Sequence, residues 1–159
     1  MSTSETPLLL TGGCQCGAIR YAVHEPPVNV HLCHCRMCQK AVGGPFAAFA
    51  PIPRTGFKWT RGTPGTYASS TIAERDFCPK CGTPLTFRYL DGTTVGVTIG
   101  SLDNPEAVTP ATHYGVESRV GWLAKLAGLP ERTTESFMSA ERKAKLRRHQ
   151  HPDRDTKAR

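Results

Sequence analysis

The chain has 159 residues, 38% of them hydrophobic, and a formal net charge of +7. That length suits one domain with a modest core, and without a run of 18 apolar residues no membrane-spanning helix is expected. The charge does not single out nucleic acid as a partner: residues 141–159 carry eight Lys/Arg against three Asp/Glu, while the other 140 residues carry 12 against 10.

The opening MSTSETPLLLTGG has no basic n-region, and its LLL is too short for an h-region, so no signal peptide is expected. The expected location is cytoplasmic, where thiols stay reduced. Seven cysteines there serve as metal ligands or catalytic groups rather than as disulfides. Residues 17–25 (GAIRYAVHE) and 45–52 (PFAAFAPI) have strand content. Residues 84–100 carry the strongest hairpin signal. Leu85, Phe87 and Tyr89 alternate with Thr86 and Arg88, Asp91-Gly92 supplies a two-residue turn, and Val95, Val97 and Ile99 resume the alternation. Gly43-Gly44 and the GSLDNP stretch (100–105) read as turns. Residues 117–128 read as a short helix closed by Gly128 with Pro130 beyond it, and Trp122 is assigned to the core. Residues 135–149 are rich in helix formers but have a thin apolar stripe. The 15 Gly and 13 Pro complete a mainly β picture of short strands and long connections. The expected organisation is one zinc-binding domain over residues 1–130 and a basic, solvated, partly helical tail over 131–159.

The cysteines fall into three groups. Cys14 and Cys16 form a C-x-C; residues two apart on an extended chain face the same side, so both sulfurs can reach one metal ion. Cys78 and Cys81 form a C-x-x-C-G knuckle, in which Pro79 stiffens the turn and Gly82 tolerates the backbone geometry. Together these four supply the closed tetrahedral set of a structural zinc. The middle group, Cys33, Cys35 and Cys38, stops at three, the pattern of a catalytic zinc with one open position. Two other arrangements remain open. Cys14 and Cys16 could join the middle group and leave Cys78 and Cys81 as a redox pair. His31 could also close the middle site. His34, lying between two ligands on an extended segment, points away.

Three thiolates around a divalent zinc leave a negative centre, a weak Lewis acid toward water that still takes soft sulfur well. A thiol entering the open position loses its proton to become a ligand. No G-x-S-x-G, H-E-x-x-H or P-loop competes as a reaction centre. The favoured reading is a zinc-dependent enzyme that makes or breaks carbon–sulfur bonds. The alternatives are a non-catalytic zinc module that binds a partner, through the basic tail for instance, and a thiol-based redox or metal sensor.

The stretches GGCQCGAIRY (12–21), CHCRMCQKAVGGPF (33–46), FCPKCGTPL (77–85), VTIGSLDNP (97–105) and VESRVGWL (116–123) resemble, in this order, the glutathione-dependent formaldehyde-activating enzymes, grouped with centromere protein V. The resemblance implies a β-tent fold, small twisted antiparallel sheets around a structural zinc, to which the reading of the residues adds a short C-terminal helix. It implies that Cys14, Cys16, Cys78 and Cys81 hold the structural ion and that Cys33, Cys35 and Cys38 hold the catalytic one. It also implies the activity of an S-(hydroxymethyl)glutathione synthase, a carbon–sulfur lyase reaction joining formaldehyde to glutathione. The partners expected are therefore a small thiol such as glutathione and an aldehyde.

Overall fold

The apolar runs resolve into two sheets in the computed structural model, which describes residues 8–156. Residues 1–7, most of the stretch read for a leader, and the tail charges Lys157 and Arg159 lie outside the described residues. A three-stranded sheet has the order β1-β2-β5, with β1 at Leu10–Gly13, β2 at Arg20–Val23 and β5 at Phe57–Arg61. A seven-stranded sheet has the order β10-β3-β4-β9-β8-β7-β6. Its strands are β3 (His31–Cys33), β4 (Ala47–Pro53), β6 (Gly65–Ser70), β7 (Ala73–Phe77), β8 (Pro84–Tyr89), β9 (Thr94–Thr98) and β10 (Thr112–Tyr114). The mainly β expectation holds. Among the described residues all strand pairs run antiparallel except β10 and β3, which are parallel. Among the described residues no helix is long and apolar enough to cross a membrane.

The run PFAAFAPI is continuously apolar because β4 is buried on both faces. Alternation sends Ala48, Ala50 and Ile52 into the main core, with Val97, Leu85, Ile99 and the β2 residues Tyr21 and Val23. Ala47 and Phe49 point the other way and form a second, smaller cluster with Phe87, Val42 and the middle cysteines. One strand thus builds both the core between the sheets and the floor of the site.

The 84–100 hairpin is present, but its turn differs from the expected one. β8 ends at Tyr89 and β9 starts at Thr94, so the loop is residues 90–93. The Gly92 N–H donates to the Tyr89 carbonyl at 3.2 Å, which makes Asp91 and Gly92 the third and fourth residues of a β-turn instead of a two-residue loop. Residues 121–128 form successive 3-10 turns rather than an α-helix, and none of them is buried. Trp122 is 53% exposed and is not a core residue. A helix this short gains little stability without a face packed on the body. Over residues 135–149 the helical content is reduced to two short pieces, Thr134–Phe137 (α2) and Ala140–Lys145 (α3). Beyond α3 the chain returns to the body. The His151 N–H donates to the Gln15 carbonyl at 2.7 Å, Arg20 Nε lies 3.5 Å from Asp155, and Arg61 donates to the Thr156 carbonyl.

Candidate metal centres and the adjoining cavities

The seven cysteines gather as four and three. The sulfurs of Cys14, Cys16, Cys78 and Cys81 lie within 4.8 Å of one another, and so do those of Cys33, Cys35 and Cys38. Among the described residues no histidine joins either group, so neither alternative arrangement is realised. His31 Nδ1 lies 2.7 Å from the Asn29 carbonyl, and its ring meets Tyr114 edge-on. His34 is buried and stacks on His113, with Nε2 and Nδ1 2.9 Å apart.

The four-cysteine group is made by two connections of the same form. Cys14 and Cys16 sit between β1 and β2, and Cys78 and Cys81 between β7 and β8. In the first, the Gly17 N–H donates to the Cys14 carbonyl (3.0 Å) and Gly17 adopts φ +75°. In the second, the Gly82 N–H donates to the Cys78 carbonyl (2.8 Å) and Gly82 adopts φ +78°. Both glycines occupy the left-handed region that a Cβ disfavours. The Ile19 N–H donates to Cys14 Sγ at 3.2 Å. The Cys14–Cys16 and Cys16–Cys78 sulfur separations are 3.6 and 3.9 Å. Tetrahedral zinc with Zn–S bonds of about 2.3 Å needs sulfurs about 3.8 Å apart, so these residues fit the ion. All seven thiols are free of disulfides.

The three-cysteine group is local in sequence. Cys33 ends β3, and Cys35 is the N-cap of α1 (Arg36–Val42), its Sγ accepting the Cys38 N–H at 3.4 Å. Capping thus brings the Cys35 sulfur against the first turn, where Cys38 stands. Gly43 ends the helix at φ +65° with its N–H on the Gln39 carbonyl. Gln39 is buried and its Nε2 donates to the carbonyls of His34 (2.6 Å) and Ser118 (2.9 Å), tying α1 to the chain after β10.

Register places the group at one end of a hollow face. Cys33 pairs with Ala47 and Tyr114, Phe49 with His31 and Thr98, and Phe87 with Gly96 and Arg75. A cavity of about 460 Å3 runs over this face, bounded by all three cysteines, His31, Phe87 and Tyr114 among others. Across α1 a second cavity of about 640 Å3 holds Arg36, Lys40 and Tyr67 on its walls, and Arg75, Met37 and Phe49 border both. Both volumes fall in the range of small-molecule sites.

As free thiols the two groups titrate unevenly. Burial pushes Cys38 up to about 12, against the pull of Arg75. Cys35 is lowered, because N–H donors from Cys38 and Met37 and the neighbouring thiols outweigh its burial. Burial takes Cys14 up to about 12, whereas hydrogen bonds from Thr83 and the backbone overcome burial and hold Cys81 down to about 6. A divalent ion replaces these protons on binding.

Sequence reasoning found every sulfur and missed what surrounds them. Arg75 Nη2 donates to Cys38 Sγ at 3.3 Å, a contact that no spacing announces. Gly115 packs on Cys35, and a Cβ there would lie 2.6 Å from the Cys35 nitrogen. Its place in HYGVES signals a turn but not the partner.

Solved and curated proteins extend this picture. A Rhodobacter sphaeroides crystal structure shares the fold, with a TM-score of 0.53 and 24% identity, covering 66% of this chain and 99% of its own. An uncharacterised lyase of Schizosaccharomyces pombe is 40% identical over 82 residues, 51% of this chain and 58% of the yeast protein. A putative glutathione-dependent formaldehyde-activating enzyme of Halomonas elongata is 45% identical over 38 residues, 23% of this chain and 24% of that protein. The matches therefore span less than two thirds of either curated relative. The model of the glutathione-dependent formaldehyde-activating enzymes matches residues 9–118, well over half of the sequence, and the chain belongs to that family.

Proposed function

We propose that the protein is a zinc-dependent carbon–sulfur lyase that joins a small thiol, glutathione first among them, to formaldehyde or another small aldehyde. The observation that carries this reading is the group of three sulfurs on the wall of a roughly 460 Å3 cavity, which no fourth Cys, His, Asp or Glu joins among the described residues. The lyase name of the yeast relative and the description of the family support it. Cys14, Cys16, Cys78 and Cys81 hold a structural zinc, and Cys33, Cys35 and Cys38 hold a catalytic one. Zinc bound by three thiolates supplies a soft Lewis acid that favours the thiolate form of an incoming thiol.

The reaction needs little more than this. The sulfur forms a bond to the carbonyl carbon, the carbonyl π pair moves to oxygen, and that oxygen takes the proton the thiol released. The product is the S-hydroxymethyl adduct, and the reverse direction breaks the same bond. The residues around the cavity serve binding and water exclusion. Phe49 and Phe87 form an apolar floor, packed closely over Gly96. The Tyr114 hydroxyl and the Asn29 amide, 3.0 Å apart at the rim, offer hydrogen bonds to a peptide-like tail. The working unit is residues 1–130 with 131–159 as a basic appendage, and its free thiols suit a reducing compartment such as the cytosol.

The test is exchange of carbon-13 formaldehyde with glutathione, followed by NMR. Zinc-loaded protein accelerates adduct formation above the spontaneous rate, and Cys35→Ser returns it to background. No acceleration with glutathione or any other small thiol would refute the proposal.

A further inference from the structure

Arg75 presents an electrostatic problem that its surroundings answer in one way. It lies in β7 with 9% of its surface exposed. A guanidinium stays protonated in a protein, and a buried charge without a partner is costly. The acidic neighbours of Arg75 are engaged elsewhere. Alternation turns Glu74 and Asp76 to the opposite face. There Arg88 pairs with Glu74 (2.6 Å) and with Asp76, which also accepts from Thr66 (2.7 Å) and Thr86 (2.6 Å). Among the described residues Arg75 forms no ion pair with a carboxylate. Its contacts are Ser69 Oγ, 3.2 Å from Nε; the Phe87 ring, whose centroid is 4.7 Å from the guanidinium carbon; and Cys38 Sγ. The anion left to balance it is the sulfur centre.

The charges then match. Three thiolates on a divalent ion carry −1, which one guanidinium in contact neutralises. Adding a thiolate would take the centre to −2, and in a partly desolvated cavity that step depends strongly on a cation held beside it. Arg36 and Lys40, at the exposed rim, are screened by water. Arg75 is buried and stacked, so its charge acts undiluted.

We propose that Arg75 is a positioning residue of the three-cysteine centre: it is the counter-ion that sets how tightly the centre accepts an anionic sulfur ligand, whatever the remainder of that ligand. This rests on the thiol-binding reading above and adds a residue that acts on the sulfur rather than on the substrate's tail.

The experiment is calorimetric titration of the zinc-loaded full chain with 2-mercaptoethanol and, separately, with glutathione. Wild type is compared with Arg75→Gln and Arg75→Lys, and zinc is counted in each. Arg75→Gln weakens both thiols by the same factor, about tenfold or more, with zinc content unchanged. Arg75→Lys keeps the charge but cannot both stack and reach the sulfur, and weakens both by a smaller common factor, about threefold. The lysine variant carries the test alone if the glutamine variant does not fold. A loss confined to glutathione would overturn the inference, since Arg75 would then be gripping the tail. Equal affinities in every variant that folds would also overturn it and leave Arg75 a packing residue on Phe87. If wild type itself binds neither thiol, the proposed function falls, and this inference falls with it.

Discussion

The two sulfur groups offer the same ligand chemistry at opposite kinds of place in the chain. Cys14 and Cys16 belong to a connection of the three-stranded sheet, Cys78 and Cys81 to a connection of the seven-stranded one. An ion held by all four joins the two sheets across 62 residues of sequence between Cys16 and Cys78. Cys14 and Cys78, at 3% and 0% exposure, are members of the main core. The other centre spans Cys33 to Cys38 and connects β3 only to the helix that follows it. An ion held there would fasten nothing distant. Closing a long loop is what makes a cross-link valuable to stability, whereas a short segment already held by strand pairing and a helix cap gains little from one. The same difference frees the three-cysteine centre to face a cavity.

The largest effect expected from this contrast is on Cys78→Ser. A structural zinc contributes about 10 kcal/mol or more of apparent folding free energy, comparable to the about 5–15 kcal/mol that holds a whole domain together. The variant should lose its cooperative thermal transition or be insoluble. Cys38→Ser should fold, bind one zinc fewer and melt only slightly lower, with about 1–3 kcal/mol lost for a hydroxyl at a buried position. Equal destabilisation of the two variants, measured by circular dichroism melting, would erase the distinction between the centres.

A smaller effect concerns how fast each centre yields its ion. Cys33 and Cys35 border an open cavity. The first knuckle of the four-cysteine centre is instead crossed by the returning C terminus, where the His151 ring lies against Gly17 and the His151 N–H holds Gln15. Chelator should therefore extract zinc in two phases, the faster from the three-cysteine centre. Deleting residues 150–159 should speed the slower phase, by about thirtyfold if two such contacts of about 1 kcal/mol each are lost, and leave the faster one unchanged. Acceleration of the fast phase alone would mean that the strap guards the wrong centre.

How much of this was legible in the sequence follows from the range of each interaction. The cysteine groups could be read because each is a short-range pattern tied to a turn, a strand end or a helix start. The β4 run and the β8–β9 hairpin were visible for the same reason. What stayed hidden is non-local. Arg75 reaches Cys38 across 37 residues, and β10 reaches β3 across about 80, by the one parallel pairing among the described residues. The 121–128 segment misled because its composition favours a helix while none of its residues is buried, and propensity alone does not hold eight residues in an α-helix. The hairpin turn misled because an Asp-Gly pair also suits the end of a longer turn.

Gly115 is the site at which the parallel pairing can be made to report on the centre. It follows β10 at φ +62°, and its α-carbon faces Cys35 so closely that a Cβ would meet the Cys35 nitrogen at 2.6 Å and its Cβ at 2.9 Å. Both atoms belong to the helix cap, so they cannot yield as the end of a flexible side chain could. Gly115→Ala should cost about 1–3 kcal/mol from the left-handed backbone alone and displace Cys35 from its place beside Cys38. The expected variant is folded, retains the four-cysteine zinc and has lost or weakened the other. Counting zinc in purified protein distinguishes the cases. A value near one with a cooperative melt shows that the third sulfur depends on a residue 80 positions away. A value near two would mean that the chain after β10 moves aside, and that the cap of α1 alone holds Cys35 in place.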